Sequence, residues 1–306
     1  MSSSTAIYGL WPALLIPVHA DQSIDTPRAV AHAQRMLAAG SDGVTLFGTT
    51  GEGPAFTVAE RKACLDALMA SGVQPSQIIV TITALALGDV IELGRHASTH
   101  GVHRQMMMPP FYFNQPRDTG VVDAVSQAVR GIDDDALKLV LYHFPAMSTY
   151  GFSHSAVAEL VSRHPGQIIG IKDSSGDLAQ AQALARAFPQ LSILVGTEPH
   201  IAPTMLVGGS GSINGLANIA PRLLRRVIDA PAAVSADDTQ LMNSLLAVLS
   251  VQPGMNFVTV YKTMLAEQTG EDAWLQVRSP LCKLTGAEQH AVRTAYRAIG
   301  HLLASV

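Results

Sequence analysis

One lysine in this chain stands where an ammonium is costly to bury. The stretch Ile168-Ile169-Gly170-Ile171-Lys172-Asp173-Ser174-Ser175-Gly176-Asp177 runs apolar for a strand's length and ends on Lys172. It then turns small and polar, and a helical pattern opens at Asp177. That order reads as strand, loop, helix. A buried ammonium is unfavourable unless it is paired or neutral. An amine held in an apolar site loses its proton more readily, and a neutral amine can attack a ketone to form a Schiff base. The competing reading is a strand-end lysine paired with Asp173. The lysines are Lys62, Lys138, Lys172, Lys262 and Lys283, and only Lys172 falls at the C-terminal end of a strand. Gly170, two residues earlier on the same face, reads as leaving room for a substrate carbon beside the amine.

Other residues with chemistry fall at strand ends too. Tyr142 closes Leu139-Val140-Leu141-Tyr142, so its phenol emerges at a strand end and can shuttle a proton. The alternative is a core tyrosine with a satisfied hydroxyl. Gly48-Thr49-Thr50-Gly51 offers backbone N–H groups and two hydroxyls, which suits a carboxylate. Taken alone, such a stretch is also an ordinary turn. The remaining polar strand-end residues are Tyr112, His143, Thr197, Glu198 and Asn214. Glu52 reads as a loop carboxylate, and Met106-Met107-Met108 as strand filling. The histidines read as scattered, without metal-ligand spacing, so neither a metal nor an organic cofactor is expected.

The elements that must hold these residues alternate. Strand patterns run Trp11–Val18, Gly43–Phe47, Ile78–Thr83, Gln105–Met108, Leu137–Tyr142, Gln167–Lys172, Leu191–Val195 and Ser212–Asn214. Helical patterns separate them. Thr26 reads as an N-cap before Pro27, and Thr57-Val58-Ala59-Glu60 as a capping box. Eight apolar strands, most of them followed by a helix, predict a (β/α)8 TIM barrel whose site lies at the C-terminal ends of the strands. An open doubly wound sheet is the runner-up, but no Gly-x-Gly-x-x-Gly follows the first strand. Past Asn214 the patterns are helical: Pro221–Asp229, Asp237–Leu249, Asn256–Glu267 and Ala287–Ala304. This predicts a barrel over residues 1–230 and a C-terminal helical domain over 231–306, with Pro231–Asp238 as the boundary.

Composition narrows the function classes. The 306 residues are 48% hydrophobic and 14% charged, enough for a sizeable core. A formal charge of -4 without a basic block argues against nucleic acid and anionic membranes as partners. The two cysteines, Cys64 and Cys282, both read as helical. They make neither a disulfide framework nor a thiolate metal site, and they fit a reducing compartment. The start of the chain lacks a basic n-region, and Leu10–Val18 is short and holds Pro12 and Pro17. A cytoplasmic protein is expected.

Four stretches carry a resemblance to a known family. Gly48-Thr49-Thr50-Gly51-Glu52, Tyr142-His143-Phe144-Pro145, Gly170-Ile171-Lys172-Asp173 and Gly208–Asn214 are similar to motifs of the dihydrodipicolinate synthase/N-acetylneuraminate lyase family. Those enzymes are class I aldolases that form a Schiff base with pyruvate. The resemblance runs from about Leu10 to the end, in order and spacing. It implies a barrel with a helical C-terminal domain, a homo-oligomer (tetramer or dimer), and pyruvate plus an aldehyde as small-molecule partners. It implies Lys172 as the Schiff-base lysine and Tyr142 as the proton shuttle. Thr50 and Tyr112 join the catalytic group, Tyr112 by reaching into a neighbouring subunit. Thr49, Thr50, Gly51, Ser148, Glu198 and Asn214 are the implied substrate contacts.

The departures bear on the substrate. Met147 stands where the synthase branch places an arginine for its second substrate's carboxylate, and no arginine or lysine occurs between Tyr142 and Ser153. Ala146-Met147-Ser148 is similar to the Ala-Leu-Ser of the sialate lyase branch, yet Glu198-Pro199 replaces that branch's Asp-Glu, and His143 replaces the usual asparagine. The reading is a lyase acting on a 2-keto-3-deoxy sugar acid or a related 2-oxo acid. The alternatives are a dehydratase using the same imine, the lysine-pathway synthase, and a non-catalytic 2-oxo acid binding protein.

Overall fold

Short apolar runs with β-branched residues make the strands, as in Ile78-Ile79-Val80-Thr81, where all four side chains are buried. A computed structural model describes residues 6–303. Its strands are β1 (Gly9–Leu10), β2 (Val44–Leu46), β3 (Ile78–Thr81), β4 (Arg104–Met107), β5 (Lys138–His143), β6 (Ile168–Asp173), β7 (Ser192–Val195) and β8 (Gly211–Ser212). They pair in parallel in the order β1-β8-β7-β6-β5-β4-β3-β2. Ala13 forms a parallel bridge to Thr45, so the segment after β1 meets β2 and the expected TIM barrel results.

The α-helices follow the strands: α1 (Thr26–Ala38), α2 (Val58–Ala70), α3 (Leu87–Thr99), α4 (Asp118–Ile132), α5 (Pro145–Ser148), α6 (His154–Arg163), α7 (Leu178–Ala187) and α8 (Ile201–Met205). Then come α9 (Pro221–Asp229), α10 (Ala236–Val248), α11 (Phe257–Thr269), α12 (Gly286–Ala298) and α13 (Gly300–Leu303). The capping box at Thr57 and Glu60 forms as expected, and Ser153 and Asp177 cap α6 and α7.

Several local expectations are corrected. The first strand is regular only at Gly9–Leu10, not over Trp11–Val18. Pro12 and Pro17 have no N–H to donate, which breaks a continuous ladder. Asp25, not Thr26, caps α1, its carboxylate accepting the Arg28 N–H at 3.2 Å. Cys282 lies in an exposed loop before α12 rather than in a helix. The Ala304 end of the last helical pattern lies outside the described residues.

Strand alternation sorts the core into layers. In β5, Val140 and Tyr142 point into the barrel with Ile79, Met106, Leu194 and Ile213. Leu139 and Leu141 point outward to Val125, Val129 and Leu160 on the surrounding helices. A third cluster joins Leu10, Leu15 and Val195 to Leu223, Val227, Leu241, Leu245, Met264 and Val292. The apolar surface of the C-terminal helices is therefore continuous with that of the barrel. Cys64 is buried on α2, and burial pushes its thiol up to about 12.

One polar contact locks this packing. Lys262, on α11, forms an ion pair with Glu52, and both side chains are essentially inaccessible to solvent. Lys262 Nζ also donates to Gln276 O at 2.9 Å, and Glu52 accepts the Arg278 N–H at 2.7 Å. Removing one member of such a pair strands a buried charge, at a cost of roughly 3–5 kcal/mol, whereas replacing both with apolar groups is often close to neutral. Lys262→Met is expected to lower the unfolding free energy, read from the urea midpoint and its slope, by that cost. Glu52→Leu combined with Lys262→Met is expected to regain most of it. A single variant with unchanged stability would show that the pair contributes nothing.

Candidate active site

The inward parity of β5 and β6 puts Tyr142 and Lys172 side by side, since they are register partners. Both are buried, at 2% and 3% exposure. Lys172 Nζ sits 4.0 Å from the centroid of the Tyr142 ring. The face of a phenol is electron-rich and solvates an ammonium without neutralising it. Among the described residues no carboxylate lies within ion-pair distance of Lys172. The competing reading, a lysine paired with Asp173, is excluded. Asp173 instead accepts the Ser175 N–H at 2.7 Å and shapes the following loop.

The loop after β2 reaches the same place. Thr49 Oγ1 and the Tyr142 hydroxyl are 3.1 Å apart, a hydrogen bond in which either can donate. Thr49 is therefore the hydroxyl coupled to the phenol, where the sequence reading grouped Thr50 with the catalytic residues. Thr50 lines the cavity without that contact.

A cavity of about 270 Å³ opens above these groups, lined by Thr49, Thr50, Tyr142, Phe144, Lys172, Ser174, Thr197, Glu198, Ile213, Asn214, Leu249, Phe257 and Tyr261 among others. Glu198 is its buried carboxylate. Burial raises its pKa, opposed by the Leu216 N–H and by Lys172. Tyr261 hydrogen-bonds to Glu198, and burial and the carboxylate's charge together hold the phenol well above the usual range. Asn214 lines the wall, but its amide is engaged: Nδ2 donates to Ser212 Oγ at 2.6 Å and Oδ1 accepts the Ala217 N–H at 2.9 Å.

Not every expected residue arrives. Ser148 is buried and donates to the Phe144 carbonyl at 3.0 Å, turned away from the cavity. Met147 is 46% exposed and is not a wall residue. Gly51 is not a wall residue either; a Cβ there would meet Leu14 O at 2.6 Å, so its glycine serves packing. Tyr112 is 69% exposed, stacked edge-on against Phe113. His143 points away: its Nδ1 accepts the Phe152 N–H at 3.1 Å, and burial lowers its pKa. Gly170 does not make room for substrate. A Cβ there would lie 2.6 Å from Ser192 O, so the glycine lets β6 and β7 approach.

Leu249, Phe257 and Tyr261 were missed by the sequence reading, and all three come from the helical tail. Tyr261 did leave one signal: a Cβ on Gly215 would strike its ring at 2.6 Å, which explains a glycine right after Asn214. The histidine reading also needs correction. His96 and His100 are four residues apart on one helix, and Asp66 joins them.

An amine beside a phenol, a hydroxyl relay and a buried carboxylate can carry imine chemistry on a small oxo acid. The Dihydrodipicolinate synthetase family model matches residues 6–299. A DapA-like lyase of Chloroflexus aurantiacus is 32% identical over 95% of this chain and 96% of its own length. The 4-hydroxy-tetrahydrodipicolinate synthase of Acidovorax sp. strain JS42 is 30% identical over 98% and 99% of the two chains. The solved dihydrodipicolinate synthase of Agrobacterium tumefaciens, 30% identical, superposes with a TM-score of 0.87 over 95% of this chain and 99% of that one.

The geometry predicts a covalent test. Borohydride reduction in the presence of pyruvate is expected to fix a pyruvyl adduct on Lys172, located by peptide mass mapping. An adduct on a different lysine, or none, overturns the assignment.

Proposed function

The chain belongs to the dihydrodipicolinate synthetase family, and from that premise we propose that it is a pyruvate-dependent class I aldolase acting on a 2-keto-3-deoxy sugar acid or a related 2-oxo acid. The observation that carries this reading is the cluster of Lys172, Tyr142 and Thr49 in one cavity, with the amine 4.0 Å from the phenol ring and the phenol 3.1 Å from the threonine. The neutral amine of Lys172 adds to the C2 carbonyl, and loss of water gives the iminium. The C4 hydroxyl gives its proton to the Tyr142 oxygen while that phenol hands its own proton to Thr49, and the C3–C4 bond breaks. The bonding pair moves into the iminium to form the enamine, and an aldehyde leaves. Protonation of C3 and hydrolysis release pyruvate and regenerate the amine. Thr49 passes the phenol's proton onward. The Thr49-Thr50 loop is suited to the carboxylate of the oxo acid. Tyr112, exposed on its loop, is suited to meet a neighbouring copy in an oligomer.

Choice of aldehyde follows from charge. Among the described residues Lys172 is the one cationic residue in the cavity wall, and it is consumed by the imine. Arg104 is turned to Ser76 O beside the Trp11 ring at the other end of β4, and Arg117 is exposed at the start of α4. A second carboxylate buried in this wall would lack a charged partner, while Glu198 and Tyr261 can bind hydroxyls. This supports a neutral hydroxyaldehyde. The second reading, dihydrodipicolinate synthase, rests on two relatives at 30% identity, a 4-hydroxy-tetrahydrodipicolinate synthase and a solved dihydrodipicolinate synthase. The dehydratase reading shares the imine and differs in expelling a hydroxyl.

Two measurements test this proposal. Tyr142→Phe is expected still to be trapped by pyruvate and borohydride but to turn over about 10² to 10⁴ times more slowly. Near-normal turnover would make the phenol structural. Catalytic efficiency with pyruvate plus neutral hydroxyaldehydes is expected to exceed that with aspartate semialdehyde by about 10² or more, the discrimination an uncompensated buried charge imposes. Aspartate semialdehyde as the best acceptor establishes the synthase reading instead.

A further inference from the structure

A second cluster of ligating side chains lies away from the cavity, on the outer helices. His96 and His100 are one turn apart on the same face of α3, His100 being its last, capping residue. Asp66 stands on α2 alongside. Its Oδ1 meets His96 Nε2 at 2.6 Å and His100 Nε2 at 2.8 Å. The two rings stand edge to face with centroids 5.0 Å apart. All three ligand atoms lie within 4.8 Å of one another. We propose that Asp66, His96 and His100 form a binding site for a divalent transition ion of the zinc type, which clasps α2 to α3.

The geometry distinguishes this cluster from an ordinary ion pair. His103 and Asp134 show the ordinary case: one imidazole, one carboxylate, 2.8 Å apart. At Asp66 two imidazole nitrogens from successive turns converge on one oxygen. Ligands held at about 2.0–2.1 Å around a tetrahedral ion stand about 3.3 Å apart, so the cluster has only to open by about 0.6 Å. That movement is easy here, because Asp66 is 49% exposed and His100 30% exposed at the side chain. The open side leaves the fourth position to water. Two imidazoles and one carboxylate suit Zn²⁺, Ni²⁺ or Cu²⁺, and not Mg²⁺ or Ca²⁺, which take oxygen shells. One turn earlier on both helices, Lys62 and Glu92 pair at 2.9 Å, so no uncompensated lysine charge opposes a cation.

The place in the fold assigns the role. The end of α3 leads into the start of β4, at the opposite end of the barrel from Lys172. The ion would therefore brace the helical ring and take no part in the imine chemistry.

Calorimetric titration of the full-length, chelator-stripped protein with Zn²⁺ tests the proposal. One saturable site per chain is expected, with a rise in Tm on loading. His96→Gln and His100→Gln are each expected to weaken binding at least ~10-fold, since loss of even an outer partner of a metal ligand has that effect. His103→Gln, which alters the ordinary pair alone, is expected to bind as the wild type does. Visible d–d absorption of a tetrahedral ion, seen with Co²⁺ in the wild type and lost in both glutamine variants, would report the ligand set directly. Absence of saturable Zn²⁺ binding, or an affinity unchanged by both substitutions, overturns the site.

Discussion

The ion pair between Glu52 and Lys262 ties the loop after β2 to the rest of the molecule. Two charges buried this completely forgo hydration, and only close mutual contact with further hydrogen bonds offsets that loss. Both conditions are met: Lys262 has the Gln276 carbonyl, and Glu52 the Arg278 N–H. Burial drives the lysine toward its neutral form and Glu52 opposes it. Glu52 follows Thr50 by two residues and takes a left-handed φ of 54°, so fixing its carboxylate fixes the turn that carries the two threonines. The hydrogen bond from Thr49 to Tyr142 thus depends on a lysine more than two hundred residues further along the chain.

Helix α11 serves the site twice. Lys262 reaches the loop after β2, and Tyr261, the residue before it, projects into the cavity to meet Glu198. Successive helix positions point about 100° apart, which lets one helix serve both the barrel core and the cavity wall. The segment after β8 is held by Asn218. Its Oδ1 accepts the Leu15 N–H and contacts His32 Nε2, and its Nδ2 donates to Ala13 O. Burial pushes His32 down to about 3, so it stays neutral in this network. This network fixes the start of the chain and α1 against the segment that follows β8.

The amine itself was legible because its surroundings are local. An apolar run ending in Lys172 states burial within five residues, and Tyr142 lies at the matching position of the preceding strand. The alternation of eight strands with helices was equally plain, since the units carry their own periodicity and several carry their own caps. Boundaries were less so where proline interrupts the ladder, as at Pro12, or where two adjacent residues can both cap, as at Asp25 and Thr26. The spacing of His96 and His100 was present in the sequence and overlooked. The contribution of Asp66 was not readable at all, because it lies on another helix.

The sequence by itself determined the barrel, the inward-facing lysine and tyrosine, and the threonine turn, because strand parity and turn chemistry act over a few residues. Tertiary structure alone decided which of two adjacent threonines bonds to the phenol, and that Gly170 serves strand packing. It also decided that Ser148 and Met147 stay out of the cavity and that Tyr261 and Phe257 enter it. These outcomes depend on the angles at which distant elements cross, and those are set by how the whole apolar surface packs, which no local pattern encodes.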